Sequence, residues 1–316
     1  MKVDVIVISY NQERYIKQCL NSILNQKVNT EIKINIIVGD DASDDSTVDI
    51  IKELAQNNIN INPVYRKKNI GASANVMELL KLAEGKYIFF CEGDDYWTDR
   101  LKIQKQIDFL ENSEYIACTH NILLVNENAE IINVQELIWI TEKKITDIFS
   151  YDGEHLPGHL SSLCVKNIFS KLDLSVLTTD RNTSDRIIFL LCLSQGSICK
   201  LDGTFSAYRV MRGINDQNVI ALDYKNICSR CYSEIVMLNA MEDWLDKNSK
   251  IKKYFIKARC RWLITALFHK LRGLKINLYD VWNLCDHKCL CAVCFPIFIL
   301  PQLIKKLKIV LTIRIR

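Results

Sequence analysis

The sequence predicts an α/β fold, a mostly parallel sheet with helices on both faces followed by a C-terminal helical region, and three observations predict it. Over about the first hundred residues, short β-branched runs alternate with amphipathic stretches in the order β-α-β-α-β-α-β, as parallel strands joined by crossover helices require. The turns after those strands are polar and acidic, at the edge where such sheets bind ligands. From about Asn215 onward the apolar spacing is mainly helical.

The first strand is Val3–Ile8, a β-branched run. Arg14 to Asn25 then places Ile16, Cys19, Leu20, Ile23 and Leu24 on one helical face. A second strand spans Lys33–Gly39, and Asp44, Asp45 and Ser46 supply capping oxygens ahead of Val48, Ile51 and Leu54 in the next helix. Asn60–Tyr65 reads as a third strand, Ala72–Ala83 as a third helix and Lys86–Cys91 as a fourth strand. From about 115 to 210 the pattern is mixed, with strand-like runs at Ile116–Thr119, Leu160–Val165 and Thr204–Val210 and a helix over Ser184–Gln195. The expected division is therefore a first domain over 1–214, changing in pattern at about 112, and a helical region over 215–316.

The 316 residues carry 41 Lys+Arg against 37 Asp+Glu, a formal charge of only +4, so nothing suggests a nucleic-acid partner. The imbalance is local: after Asp286 there is no acid, while Lys288, Lys305, Lys306, Lys308, Arg314 and Arg316 follow. The uncharged run Cys289–Ile304, broken by Pro296 and Pro301, is shorter than the ~20 apolar residues of a spanning helix. Beside those basic residues it suits peripheral contact with the inner face of the cytoplasmic membrane. The thirteen cysteines occur without a signal-peptide pattern, and Cys19, Cys91, Cys118, Cys164 and Cys192 have apolar neighbours, so reduced thiols in a cytoplasmic protein are expected. The denser run Cys285, Cys289, Cys291, Cys294 lacks the paired spacing of a structural zinc site.

Glu92-Gly93-Asp94-Asp95 packs three carboxylates after a buried strand, where they repel one another unless a cation or hydroxyl donors occupy the site. Mg²⁺ or Mn²⁺ bridging two phosphates suits them, since such ions take oxygen ligands from one or two carboxylates and the substrate. A helix N-terminal acidic turn would explain them without a ligand. Asp40-Asp41-Ala42-Ser43 reads equally as a capping turn on its own. Capping does not require two acidic turns to share one sheet edge.

Taken together, the runs Val5–Asn11, Asp40–Thr47, Asn69–Gly71 with Asn75, Glu84–Ile88 and Glu92–Trp97 closely resemble the family 2 inverting glycosyltransferases of the GT-A fold. The resemblance is dense over residues 3 to about 112 and patchy to about 212. It implies that Ser9 and Tyr10 line a nucleotide base, that Asp40 accepts hydrogen bonds from that base, commonly uracil, and that Arg66 or Lys67, Asn69 and Gly71 approach base and diphosphate. It also implies that Asp94 and Asp95 are the metal and ribose carboxylates. Glu92 stands where many members have Asp, so Asp94 and Asp95 carry more weight.

An inverting transfer needs a base for the acceptor hydroxyl. The family places it at the start of a later helix, which implies Asp185, with Asp180 as fallback. A helix-capping carboxylate is the competing reading. Gly158-His159-Leu160-Ser161-Ser162 resembles a segment lining the acceptor side, which brings in His159. Tyr208-Arg209 resembles a segment closing the catalytic domain, from which Arg209 or Arg212 would reach the diphosphate. The expected activity is transfer of a sugar from a nucleotide donor, UDP-linked, to a glycan or lipid-linked glycan in surface-polysaccharide biosynthesis. A nucleotidyltransferase acting on sugar phosphates would need a Gly- and Arg-rich loop after the first strand, where this chain has Ser9-Tyr10-Asn11-Gln12-Glu13. A non-catalytic glycan-binding protein would have lost the carboxylates that are present here.

Overall fold

The computed structural model describes residues 1–132, 140–151, 155–179, 184–210, 227–245, 249–271, 276–285, 288 and 291–292. Contacts divide the chain into two units, Met1–Ser150 with His155–Asp216, and Tyr151–Glu154 with Gln217–Arg316.

The first unit runs β1 (Lys2–Ser9), α1 (Ile16–Leu24), β2 (Lys33–Asp40), α2 (Thr47–Asn57), β3 (Ile61–Tyr65), α3 (Ala72–Leu80), β4 (Tyr87–Glu92) and β5 (Tyr96–Trp97). It continues with α4 (Lys102–Glu111), β6 (Ala117–Val125), β7 (Ile145–Thr146), β8 (Cys164–Lys166), α5 (Ser184–Gln195) and β9 (Ile198–Arg209). The strands form one sheet in the order β3-β2-β1-β4-β8-β6-β9-β5, with β7 on β9. Strands β3, β2, β1 and β4 are mutually parallel, β6 pairs β9 in parallel, and β8 is antiparallel to both β4 and β6.

Packing rather than propensity holds the short helices. Helix α1 has nine residues and no side-chain cap bond, below the length at which an isolated helix is stable. Its Ile16, Cys19, Leu20 and Ile23 are buried with Val3, Val5 and Val7 of β1 and Phe89 and Cys91 of β4. Each such side chain removed from water contributes about 1.5–3 kcal/mol. Cys19, Cys91, Cys118, Cys164 and Cys192 are reduced and buried, as apolar neighbours imply.

Register fixes the functional edge. Ser9 lies opposite Asp40, Asp40 opposite Tyr65, and Ile8 opposite Glu92. The turns that follow four parallel strands therefore leave the sheet at one row. Gly39 is one residue short of that row, and a Cβ there would lie 2.6 Å from Asn75 Oδ1 and 2.7 Å from Leu79 Cδ1. Asn75 Nδ2 donates to the Gly39 carbonyl, and its Oδ1 accepts from Arg66 Nε. Gly39→Ala should thus displace Asn75 and Arg66 together and cost about 1–3 kcal/mol. Thermal denaturation checks this, and an unchanged Tm would contradict the packing.

Several expected elements differ. The strand expected over Leu160–Val165 begins instead as a 3-10 turn, Leu160–Ser162, because hydroxyl and imidazole groups bond locally there. Strands β6 and β9 are longer than the expected runs, while β5 and α4 were not expected at all.

The second unit is helical where described, with α6 (Ile227–Trp244), α7 (Ser249–Leu271) and α8 (Leu278–Leu284). Buried Arg259 of α7 donates through Nε to Asn239 Oδ1 on α6 and lies 2.6 Å from Glu242 Oε2. No helix of the described residues is long and apolar enough to cross a membrane. The basic apolar tail expected to touch a membrane lies outside the described residues, apart from Cys291 and Ala292. Cys289 and Cys294 are also outside them, and Cys285 and Cys291 join no metal-capable cluster among the described residues.

Candidate active site

Two loops at the carboxyl edge are zipped together. After β1, Asn11 adopts a left-handed conformation with φ 53°, and after β2 Ala42 does so with φ 63°. Asn11 N–H donates to Ser43 Oγ while Asp44 N–H donates to Asn11 Oδ1, and Gln12 N–H donates to Thr47 Oγ1. Glu13 and Ser46 continue the exchange through Asp45 Oδ2 and Glu13 Oε2. Such reciprocal bonds over-determine backbone that is unfavourable in isolation.

Asp40 is buried and accepts from Ser43 N–H at 3.0 Å and Ser43 Oγ–H at 2.5 Å. Asp41 reaches the other way, accepting from Ile70 N–H and Gly71 N–H, each at 2.8 Å, so it fixes the Asn69–Gly71 loop. Gly71 has φ 91° and opens α3, a conformation that excludes most side chains. Ser9 Oγ and Arg66 Nη2 are buried without a hydrogen-bond partner. Orphaned buried polar atoms are rare in folded proteins, and these two lie beside loops that leave one sheet edge. Tyr10 and Tyr65 at that edge remain 43% and 38% exposed.

The acidic turn lies against the first loop. Gly93 N–H donates to the Ile8 carbonyl, and a Cβ on Gly93 would sit 3.0 Å from that oxygen. Asp95 is fully buried: its Oδ1 accepts from Arg209 N–H at 3.0 Å and its Oδ2 from Ser161 Oγ–H at 2.5 Å. Arg209 and Gln12 lie near enough to Asp94 to favour its ionised form. His159 stands between the other two carboxylates, Nδ1 3.6 Å from Asp95 Oδ2 and Nε2 3.7 Å from Glu92 Oε2. Glu92, Asp95 and His159 each present a ligand atom, all within 4.8 Å of one another.

Electrostatics bind the group together. Burial, then the charges of Asp95, Asp94 and Asp185, push the Glu92 carboxyl well above its usual range. Asp95 is driven up by burial and by Asp94, against the bonds from Ser161 and Arg209. Asp94 is raised by burial and held back by its own backbone bond, Arg209 and Gln12. Burial lowers His159 to about 4. Clustered carboxylates of this kind are stabilised by a cation. The influence of Asp185 on Glu92 places the first turn of α5 within electrostatic reach of the turn.

The family model for glycosyl transferase family 2 matches residues 4–171, more than half of the chain. The chain belongs to this family. A protein of Mycobacterium tuberculosis is 41% identical over 128 residues, 40% of this chain and only 36% of its own length. The UDP-Glc:α-D-GlcNAc-diphosphoundecaprenol β-1,3-glucosyltransferase WfaP of Escherichia coli is 27% identical over 274 residues, 86% of this chain and 94% of that one. The crystal structure of S. aureus TarS 1–349 in complex with UDP matches with a TM-score of 0.60 at 17% identity, over 90% of this chain and 78% of that one, a likeness of fold.

In this family member the edge therefore collects Ser9, Tyr10, Asp40, Arg66, Asn69, Gly71, Glu92, Asp94, Asp95 and His159, with Asp185 within electrostatic reach of Glu92. The metal pair expected from the sequence is Asp94 and Asp95; among the described residues the group whose ligand atoms lie mutually within 4.8 Å is Glu92, Asp95 and His159. Arg209, expected to reach the diphosphate, is held within the protein: its Nε donates to the Asp94 carbonyl, Nη1 to the carbonyls of Asn126 and Glu127, and Nη2 to Gln18 Oε1. Arg212 and Asp180 lie outside the described residues. Sequence reasoning missed the anchoring roles of Asp41, Gln12, Gln18 and Ser161. Only Ser161, two residues after His159 and bonded to Asp95, carried a legible signal.

Proposed function

We propose that the chain transfers a sugar, with inversion, from a UDP-linked donor to a hydroxyl of a glycan or lipid-linked glycan in polysaccharide biosynthesis. The observation carrying this reading is the register that gathers the Asp40 turn, the Asn69–Gly71 loop and the Glu92–Asp95 turn at one sheet edge, with Asp185 near Glu92. Both the nucleotide and the lipid-linked acceptor are supported by likeness to the bacterial relatives above, of which the mycobacterial one is much longer than the stretch it shares.

In this reading the nucleoside lies over Ser9, Tyr10 and Asp40, and the orphaned guanidinium edge of Arg66 meets anionic or carbonyl oxygens. The carboxylates of Glu92, Asp94 and Asp95 suit a Mn²⁺ or Mg²⁺ ion, since they crowd one short turn and Glu92 and Asp95 present ligand atoms within 4.8 Å of each other. When bound, such an ion stabilises the departing diphosphate. Asp185 takes the proton of the acceptor hydroxyl as its oxygen bonds to the anomeric carbon and the bond to the diphosphate breaks on the opposite face.

Donor hydrolysis and transfer with a panel of nucleotide sugars, with and without Mn²⁺, test the proposal. UDP-linked donors should be turned over only with the ion, and Asp94→Ala should abolish the response. Turnover of no donor, or an Asp94→Ala protein that behaves like wild type, would sink it. The pH dependence has a definite sign. A carboxyl raised in the fold destabilises it as pH rises through that raised pKa. The Tm gain from Mn²⁺ should therefore grow as pH is increased above the usual carboxylate range, and shrink in Glu92→Gln.

A further inference from the structure

The geometry points to His159 as a neutral Nε2–H donor that, paired with Glu92, holds one sugar hydroxyl, and not as a metal ligand. This rests on the sugar-nucleotide reading above.

The imidazole is buried and packs against the Tyr208 ring, with centroids 4.5 Å apart. Its Nδ1 accepts the Ser161 N–H at 3.2 Å and so caps the 3-10 turn Leu160–Ser162. A neutral imidazole has one donor and one acceptor nitrogen, so the proton sits on Nε2. The alternative tautomer would set Nδ1–H against the Ser161 N–H. Asp95 offers Nδ1–H no hydrogen bond, because its Oδ2 is 3.6 Å away, beyond normal N–H···O reach.

A metal ligand must present a lone pair. On this ring the Nδ1 pair is used by the turn, and Nε2 carries hydrogen, so the carboxylates are left to hold the ion. Nε2 and Glu92 Oε2 are 3.7 Å apart, too far for a hydrogen bond. A donor and an acceptor thus lie side by side, so that one oxygen set beside the pair, at hydrogen-bond distance from each, can bridge them. A phosphate oxygen only accepts, so it can meet Nε2–H but brings no hydrogen for a carboxylate oxygen. A hydroxyl accepts from Nε2–H and donates to the carboxylate, and so satisfies both.

Nitrogen-15 NMR of the His-labelled protein tests the tautomer directly: Nδ1 should show the shift of a bare nitrogen and Nε2 that of a protonated one. His159→Asn keeps an acceptor for the Ser161 N–H but its amide N–H₂ falls short of the Nε2 position, whereas His159→Gln can restore an N–H there. Loss of one such bond should weaken hydroxyl recognition about tenfold in His159→Asn, with partial recovery in His159→Gln. Mn²⁺ affinity by EPR should stay within about twofold of wild type, where loss of a ligand or its support costs on the order of ten- to a hundredfold.

Calorimetry with UDP and with UDP-glucose, and the acceptor KM, identify the hydroxyl's source. Weaker UDP binding assigns it to the ribose, a loss confined to UDP-glucose to the donor hexose, and a raised KM alone to the acceptor. A protonated Nδ1, a tenfold loss of Mn²⁺ affinity in His159→Asn, or no change in any of the three ligand measurements overturns the proposal. If wild type binds no nucleotide sugar, the donor reading fails, while the NMR spectrum still decides the tautomer.

Discussion

Replacing Asp185 with Asn will lower sugar transfer by about a thousandfold, within the range that a positioned general base contributes. Donor affinity should change little, because the bonds that fix the Asp40 turn and the Asn69–Gly71 loop come from Ser43 and Asp41 and none from Asp185. Asp185 Oδ1 accepts its neighbour's Arg186 N–H at 2.7 Å, a bond an Asn side-chain oxygen can also accept, so the helix start is preserved. The substitution removes the proton acceptor and one negative charge near Glu92. A merely structural role would lower Tm and leave the turnover of the folded fraction intact. The base role predicts the reverse, a near-wild-type Tm, nearly unchanged UDP binding and a collapsed kcat. Transfer within tenfold of wild type would move the base elsewhere, with Asp180→Asn the next protein to assay.

How much of this was legible in the sequence follows from how local each signal is. Strands β1 to β4 and helices α1 to α3 were readable because β-branched runs and helical apolar spacing are set by neighbours in the chain. Asp40 and Glu92 could be placed at one edge because parallel connectivity puts every such turn there. The partners that hold them could not. Asp41 secures a loop 30 residues away, Ser161 bonds a carboxylate 66 residues away, and Arg209 reaches Gln18 across 191 residues. His159 illustrates the limit: the residue was singled out, but the Ser161 N–H that fixes its tautomer depends on a turn that the apolar run Leu160–Val165 disguised as a strand.

Arg209→Met is expected to cost about 3–5 kcal/mol, the sum of several buried acceptors left without a donor. The guanidinium satisfies the carbonyls of Asp94, Asn126 and Glu127 and the side chain of Gln18, and lies 4.4 Å from the Tyr15 ring centroid. Methionine fills much of the volume but donates to none of them, leaving buried acceptors that each cost about 1–3 kcal/mol when unsatisfied. In a domain of this size the Tm should fall by on the order of 10 °C. The consequence reaches the site because Arg209 grips the acidic turn at two points, through Nε on the Asp94 carbonyl and backbone N–H on Asp95 Oδ1. Its positive charge also holds the Asp94 carboxyl down against burial. Arg209→Met should therefore weaken Mn²⁺ binding even below its melting temperature, whereas Arg209→Lys, which keeps the charge and loses the fork, should recover metal affinity more than stability. A guanidinium devoted to the diphosphate would behave differently, with Tm unchanged and only UDP affinity lost, so calorimetry and denaturation on the same two variants separate the positioning role from the contact first expected of this residue.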